Sequence, residues 1–376
     1  MKRKIIIILL LTLFGSNILY SHIAYANNNP GNISSEAYTV LETGSNRLLY
    51  SKNKDEKLPM ASTTKVMTAI IALEKGNLND VIEIKKEYTG IEGTSIYLAE
   101  GEKLSLEDLI HGLMLVSGND AAVAIAHHIG GSIEGFAKIM NKKAKELGMN
   151  NTNFKNPNGL PDEEHYTTAY DFALLASYAM KNENFVKIIN DKKWSMSYKG
   201  KENGRTIYNK NKLLKNYEGA NGIKTGFTKK AGKCFVFAAK RNDMQVVGVV
   251  LRSNNHYIDS TNLLNMAFNE FTLKKIIEKD EYIKTIPMKN TKKGIIKLSV
   301  REDIFFPVKK DENIEINYDK IYNSGSDNYI ADYSVNIKNS KEKYEYTITA
   351  KTEKQSKSSI YNFFSNLLRF TGLDFN

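Results

Sequence analysis

Three short motifs occur in one order along this 376-residue chain: Ser62-Thr63-Thr64-Lys65, Ser117-Gly118-Asn119 and Lys224-Thr225-Gly226. A serine hydroxyl is a poor nucleophile at neutral pH. Acyl transfer from it needs an adjacent base, a proton route to the leaving amine and a cation to hold the substrate. The three motifs supply those parts in turn, so the ordered trio specifies a serine acyl-transfer site.

Alone, each motif is weak, because 53 Lys and Arg residues generate S-x-x-K by chance. The pattern recurs at Ser51/Lys54 and Ser340/Lys343, both in charged loops. S-x-N recurs at Ser253-Asn254-Asn255, Ser260-Thr261-Asn262 and Ser326-Asp327-Asn328, whereas Lys-Thr-Gly occurs once. Local setting separates the copies. Ser62 starts a helical pattern, where backbone N–H groups lack intrahelical partners and the dipole favours developing negative charge. Lys65, three residues on, shares its face and can take its proton if burial and cationic neighbours lower its pKa. Ser117-Gly118-Asn119 interrupts an apolar helical stretch, a costly place for polar groups unless they face a cleft; as a plain interhelical turn, S-G-N-D is also sound chemistry. Ser117 suits proton delivery to a leaving nitrogen, and Asn119 suits orienting Lys65 and a substrate carbonyl. Lys224-Thr225-Gly226 falls on a strand pattern, where Gly226 admits a close backbone and Lys224 with Thr225 suits a carboxylate. The backbone N–H groups of Ser62 and Phe227 are the candidate oxyanion hole.

The N-terminus reads as a secretory signal over residues 1–26: Lys2-Arg3-Lys4, an apolar run from Ile5 to Phe14, and Ala24-Tyr25-Ala26. The alternative, an uncleaved anchor, is short of the ~20 apolar residues that span a bilayer. The formal charge of +11, less 3 for Lys2, Arg3 and Lys4, leaves +8. That excess reads as a solubilising surface, with attraction to anionic wall polymers or lipid as the alternative. No basic stripe or binding motif points to nucleic acid. Cys234 is the only cysteine and lies in an apolar strand pattern, so no intrachain disulfide forms and the thiol reads as core. The six histidines show no metal-ligand spacing, and no metal or cofactor is expected.

Periodicity predicts a hairpin over 37–50, then helices over 62–75, 105–114, 120–129, 132–147 and 168–180. Strands over 222–228, 233–239 and 245–251 follow, then a helix over 263–271. This is an α+β arrangement: an antiparallel sheet with a helical cluster between its first and last strands. Residues 27–275 read as the catalytic domain and 276–350 as a small all-β domain. Residues 351–376 read as a polar linker and an amphipathic helix whose aromatic face suits a membrane surface. An ordinary terminal helix is the alternative.

The motifs with their flanks resemble the penicillin-binding protein and serine β-lactamase superfamily. Pro59-Met60-Ala61-Ser62-Thr63-Thr64-Lys65, Gly93-Thr94-Ser95, Ser117-Gly118-Asn119-Asp120, Asn156-Pro157-Asn158-Gly159-Leu160 and Gly222-Ile223-Lys224-Thr225-Gly226-Phe227-Thr228 look like the low-molecular-mass D-alanyl-D-alanine carboxypeptidases. The similarity covers roughly residues 36 to 270, and the β-rich segment and tail match that family's layout. The resemblance implies a penicillin-binding transpeptidase-like fold, an exported enzyme at the outer face of the cytoplasmic membrane, and removal of the terminal D-alanine from peptidoglycan pentapeptide through a Ser62 acyl-enzyme. It also implies β-lactams as inhibitors. One departure concerns the arginine that family members commonly carry after the third motif, near which this chain has Arg252 and His256. A class A β-lactamase needs a glutamate-activated water; Glu163 and Glu164 lie in the matching interval without the E-x-x-L-N pattern. A slowly deacylating β-lactam-binding module is the other alternative.

Overall fold

The computed structural model describes residues 32–198, 201–287, 294–325 and 328–356. The expected signal peptide and amphipathic tail lie outside these residues. The first sheet has the order β2-β1-β9-β8-β7 and every pair in it is antiparallel. Its strands are β1 (Ala37–Glu42), β2 (Leu48–Lys52), β7 (Ala220–Thr228), β8 (Gly232–Arg241) and β9 (Met244–Ser253). Between β2 and β7 come two short hairpins, β3 (Val81–Glu83) with β4 (Lys103–Ser105) and β5 (Lys193–Tyr198) with β6 (Lys201–Tyr208). Six main helices occupy the same interval: α1 (Lys65–Lys75), α2 (Leu106–Leu115), α3 (Asn119–Gly130), α4 (Ile133–Glu146), α5 (Ala169–Ala179) and α6 (Glu183–Asn190).

Strand alternation gives the sheet two apolar faces. Cys234, Val236 and Ala238 of β8 join a core with Val66, Ile70, Leu113 and Phe172 from the helical cluster. Phe235, Phe237 and Ala239 turn the other way, onto Leu263, Leu264 and Ala267 of α7 (His256–Glu270). Helices thus cover both faces, as the α+β expectation required. The last helix starts seven residues earlier than its apolar pattern, because Asn255 caps it by accepting from the Ile258 N–H at 3.4 Å.

Glu270 leads without a break into β10 (Phe271–Ile277), which pairs with β13 (Ile304–Lys309). A three-stranded sheet follows from β11 (Tyr282–Pro287), β12 (Gly294–Ser299) and β17 (Lys351–Ser356). Another comprises β14 (Ile314–Gly325), β15 (Asn328–Ile337) and β16 (Lys343–Thr349). Two points differ from the sequence reading: the β-rich region begins at Phe271 instead of residue 276, and Lys351–Ser356 is a strand on β12 instead of linker.

Arg47, between β1 and β2, ties the two regions together. It is 2% exposed and donates to both Glu312 carboxylate oxygens, at 2.5 and 2.6 Å, and to the Pro307 carbonyl. Its guanidinium lies 5.1 Å from the ring centres of both Phe271 and Phe306. Removing one partner of a buried pair strands the other charge, so Arg47→Ala is expected to lose about 3–5 kcal/mol in urea denaturation.

Candidate active site

Ser62 sits on a 3-10 turn, Ala61–Thr64, immediately before α1, so Lys65 is the first α-helical residue. The neighbouring hydroxyls close the turn. Thr63 Oγ1 donates to Met60 O at 2.6 Å and Thr64 Oγ1 to Ala61 O at 2.8 Å. Ala61 adopts a left-handed φ of 49°, a region that disfavours residues other than glycine. Two glycines leave room for the turn. A Cβ on Gly159 (φ +87°) would lie 1.9 Å from Ala61 O, and one on Gly226 would lie 3.0 and 2.9 Å from the nitrogens of Ser62 and Thr63. Gly226 therefore admits the nucleophile turn itself, a closer reason than the substrate approach expected from sequence.

Lys65 is fully buried and its Nζ has three partners: Ser62 Oγ at 3.1 Å, Asn119 Oδ1 at 2.6 Å and the Asn158 carbonyl at 2.6 Å. Among the described residues, no carboxylate lies within ion-pair distance of it. Burial, and then the positive charge of Lys224, hold its pKa well below the ordinary 10.5, with Asp120 pulling the other way. In its neutral form, which this shift favours, the amine has two N–H donors and one lone pair. Asn119 Oδ1 and Asn158 O can only accept, so they take both donors and leave the lone pair to the Ser62 hydroxyl.

The second motif is a break between α2 and α3. Ser117 is half-buried with φ +70°, and Gly118 caps α3. Asn119 is fixed at both ends of its amide: Nδ2 donates to Glu92 O at 2.5 Å while Oδ1 accepts from Lys65. Asp120, read from sequence only as part of this stretch, organises the facing loop. Its carboxylate accepts from Ile96 N, Leu98 N, Ala121 N and Ser95 Oγ at 2.5 to 3.0 Å.

Within its sheet, β7 is an edge strand, bonded to β8 on one side only. Lys224 is 3% exposed and donates to Thr225 O at 2.9 Å. Burial first, then the nearby charge of Lys210, lowers it to about 7. Lys210 is exposed, and its N–H donates to Leu115 O at the end of α2. It is a cation between the second and third motifs that no sequence pattern announced. Thr225 is half-buried and Phe227 is 65% exposed.

Neither residue considered for the carboxylate is an unengaged cation. Arg252 Nη1 bonds both Glu36 carboxylate oxygens, at 2.9 and 3.0 Å. His256 packs edge-on to Phe235, which belongs to the sheet face under α7, and burial holds it neutral at about 4. Glu163 and Glu164 are exposed, and Glu164 pairs with Lys155 at 2.9 Å. The buried group of that segment is His165, whose ring bonds Thr64 Oγ1. Cys234 is buried as expected and its thiol is pushed up to about 11, far from a reactive thiolate.

The structure thus brings Ser62, Lys65 and Asn119 into one hydrogen-bonded cluster, with Gly226 against the turn and Lys224 within electrostatic reach. The family model described as D-alanyl-D-alanine carboxypeptidase matches residues 24–255. The D-alanyl-D-alanine carboxypeptidase DacF of Bacillus subtilis is 34% identical over 285 residues, 73% of this chain and 72% of that protein. The D-alanyl-D-alanine carboxypeptidase of Streptomyces sp. strain K15 is 34% identical over 61% of this chain and 85% of its own length. Among solved structures, penicillin-binding protein 5 from Haemophilus influenzae superposes with a TM-score of 0.71 at 26% identity, covering 85% of this chain and 96% of that one. Motifs, fold and relatives agree, and the chain belongs to the D-alanyl-D-alanine carboxypeptidase family of penicillin-binding proteins.

Proposed function

We propose that this protein is a serine D-alanyl-D-alanine carboxypeptidase that removes the terminal D-alanine from peptidoglycan pentapeptide and is acylated by β-lactams at Ser62. The Lys65 environment carries this reading: a buried amine whose two donors are taken by carbonyl oxygens has its lone pair left for one hydroxyl. Ser62 Oγ attacks the D-Ala-D-Ala amide carbonyl as its proton passes to Lys65 Nζ. The N–H groups of Ser62 and Phe227 hold the oxyanion. Ser117 returns the proton to the leaving nitrogen as the C–N bond breaks and D-alanine departs. Water then cleaves the ester and restores Ser62. Lys224, Thr225 and the exposed Lys210 hold the substrate carboxylate, since Arg252 is engaged by Glu36 and His256 is neutral.

The direct test is incubation with a D-Ala-D-Ala peptide. Stoichiometric D-alanine release is expected; rapid benzylpenicillin turnover with no D-alanine release would make the protein a β-lactamase instead.

The lysine environments set the pH profile. Lys65 must be neutral to accept a proton, so protonating it gives the acid limb. Lys224 binds as a cation, and its proton leaves as pH rises through about 7 in the free enzyme. A bound carboxylate favours the charged form and raises that value. The expected result is an alkaline limb in kcat/KM near pH 7 that lies higher in kcat, and that moves to higher pH in Lys224→Arg.

The exported location, the boundary between a catalytic and a β-rich domain, and a membrane-surface tail remain parts of this proposal, supported by sequence pattern. The tail reading fails if a chain ending at Ser356, which keeps β17, binds anionic vesicles as well as the full mature protein does.

A further inference from the structure

His165 lies outside the three motifs and is 3% exposed. The Lys155 N–H donates to its Nδ1 at 3.0 Å, which places the lone pair on Nδ1 and the ring proton on Nε2. Nε2 stands 2.8 Å from Thr64 Oγ1. Thr64 Oγ1 in turn lies 2.8 Å from Ala61 O, a carbonyl to which it can only donate. A hydroxyl has one proton. Since that proton goes to Ala61, the hydroxyl accepts from Nε2–H, and the bonds run in one direction from Lys155 N–H to Ala61 O.

The end of this chain is the residue in front of the nucleophile. A left-handed φ at a non-glycine residue costs on the order of 1–3 kcal/mol and persists only where its surroundings fix it. Ala61 has φ +49°, and its carbonyl is held by Thr64 Oγ1 with Gly159 packed against it. We propose that His165 is a positioning residue for the nucleophile: acting through Thr64, it holds the Ala61 carbonyl in the strained turn that aims the Ser62 hydroxyl at Lys65. This rests on Ser62 being the nucleophile. His165 does not itself touch the reacting atoms. Burial holds the ring neutral at about 4, with Asp162 and Lys65 acting on it in opposite directions, so the relay keeps its direction at neutral pH.

The test uses the full chain and measures acylation rate with a fluorescent penicillin, kcat and KM for D-alanine release, and melting temperature. Thr64→Val keeps the side chain's shape and removes the hydroxyl. Thr64→Val and His165→Ala are each expected to slow acylation and kcat roughly 10- to 100-fold, because small misplacements of reacting atoms are costly. KM should stay within about a factor of three, since ground-state contacts remain. The double variant should be no slower than the slower single one, because both cut the same relay. Thr64→Ser should recover most of the lost rate. If His165→Ala does not fold, Thr64→Val and Thr64→Ser decide the matter. Wild-type acylation by folded Thr64→Val, or an additive loss in the double variant, would overturn the relay. Acylation persisting in Ser62→Ala would instead overturn the nucleophile assignment, a result distinct from an inert Ser62→Ala beside a fully active Thr64→Val.

Discussion

Ser62→Ala is expected to lose D-alanine release by roughly 10⁶-fold, the scale found when a serine nucleophile is removed from a unit that acts together. Covalent labelling by penicillin should vanish with it. The fold should survive. The turn is closed by the hydroxyls of Thr63 and Thr64 on backbone carbonyls, and among the described residues Ser62 Oγ bonds Lys65 alone. A melting temperature close to that of the parent therefore accompanies the lost activity, and residual release at even a thousandth of the parent rate would contradict the assignment.

Lys65→Met should be nearly as damaging, with a loss of about 10⁴-fold or more in acylation, since general-base assistance alone is worth 10²–10⁴-fold. The substitution also frees Asn119 Oδ1 and the Asn158 carbonyl, whose shared donor is Lys65 Nζ. Asn119 is then held at one end of its amide only, through Nδ2 on Glu92 O. Because Ser62 and Lys65 work as one unit, the double variant should be no slower than Ser62→Ala. An extra loss in the double variant would mean that Lys65 also assists residual D-alanine release that does not pass through Ser62, a role separate from serving as that hydroxyl's base. Lys65→Met is read by single-turnover acylation at several pH values, and the variants lacking the Ser62 hydroxyl by residual D-alanine release.

The legible parts of this structure are those whose signal is local. Ser62 and Lys65 are three residues apart, Ser117-Gly118-Asn119 breaks an apolar stretch, and Lys224 lies in a strand of β-branched and aromatic neighbours. Periodicity and glycine punctuation suffice to place all three. The supporting residues carry no such mark. His165 acts on Thr64 across 101 residues, and Asp120 acts on a loop 22 to 25 residues upstream; only the fold joins them. The polar run Lys351–Ser356 reads as linker from sequence because this edge strand, paired with β12 on one side, has no apolar alternation. The β5–β6 hairpin does carry a local signal that the sequence reading leaves out: Lys193-Trp194-Ser195-Met196-Ser197-Tyr198 alternates polar and apolar residues, with Trp194 and Met196 turned to the core. For the carboxylate site, sequence offered Arg252 and His256. In the structure Arg252 bonds Glu36 and His256 packs on Phe235, and Lys210 becomes visible only once the fold bonds its backbone to the end of α2 and brings its charge near Lys224.

Peptide mapping after reaction with benzylpenicillin tests the central claim most directly. The protein is treated with the antibiotic, digested, and the adduct located by tandem mass spectrometry. The account predicts one adduct per chain, on the Ser62 hydroxyl. An adduct on Ser117, Thr63 or any other residue, or an unmodified Ser62 in protein that still releases D-alanine, would contradict it.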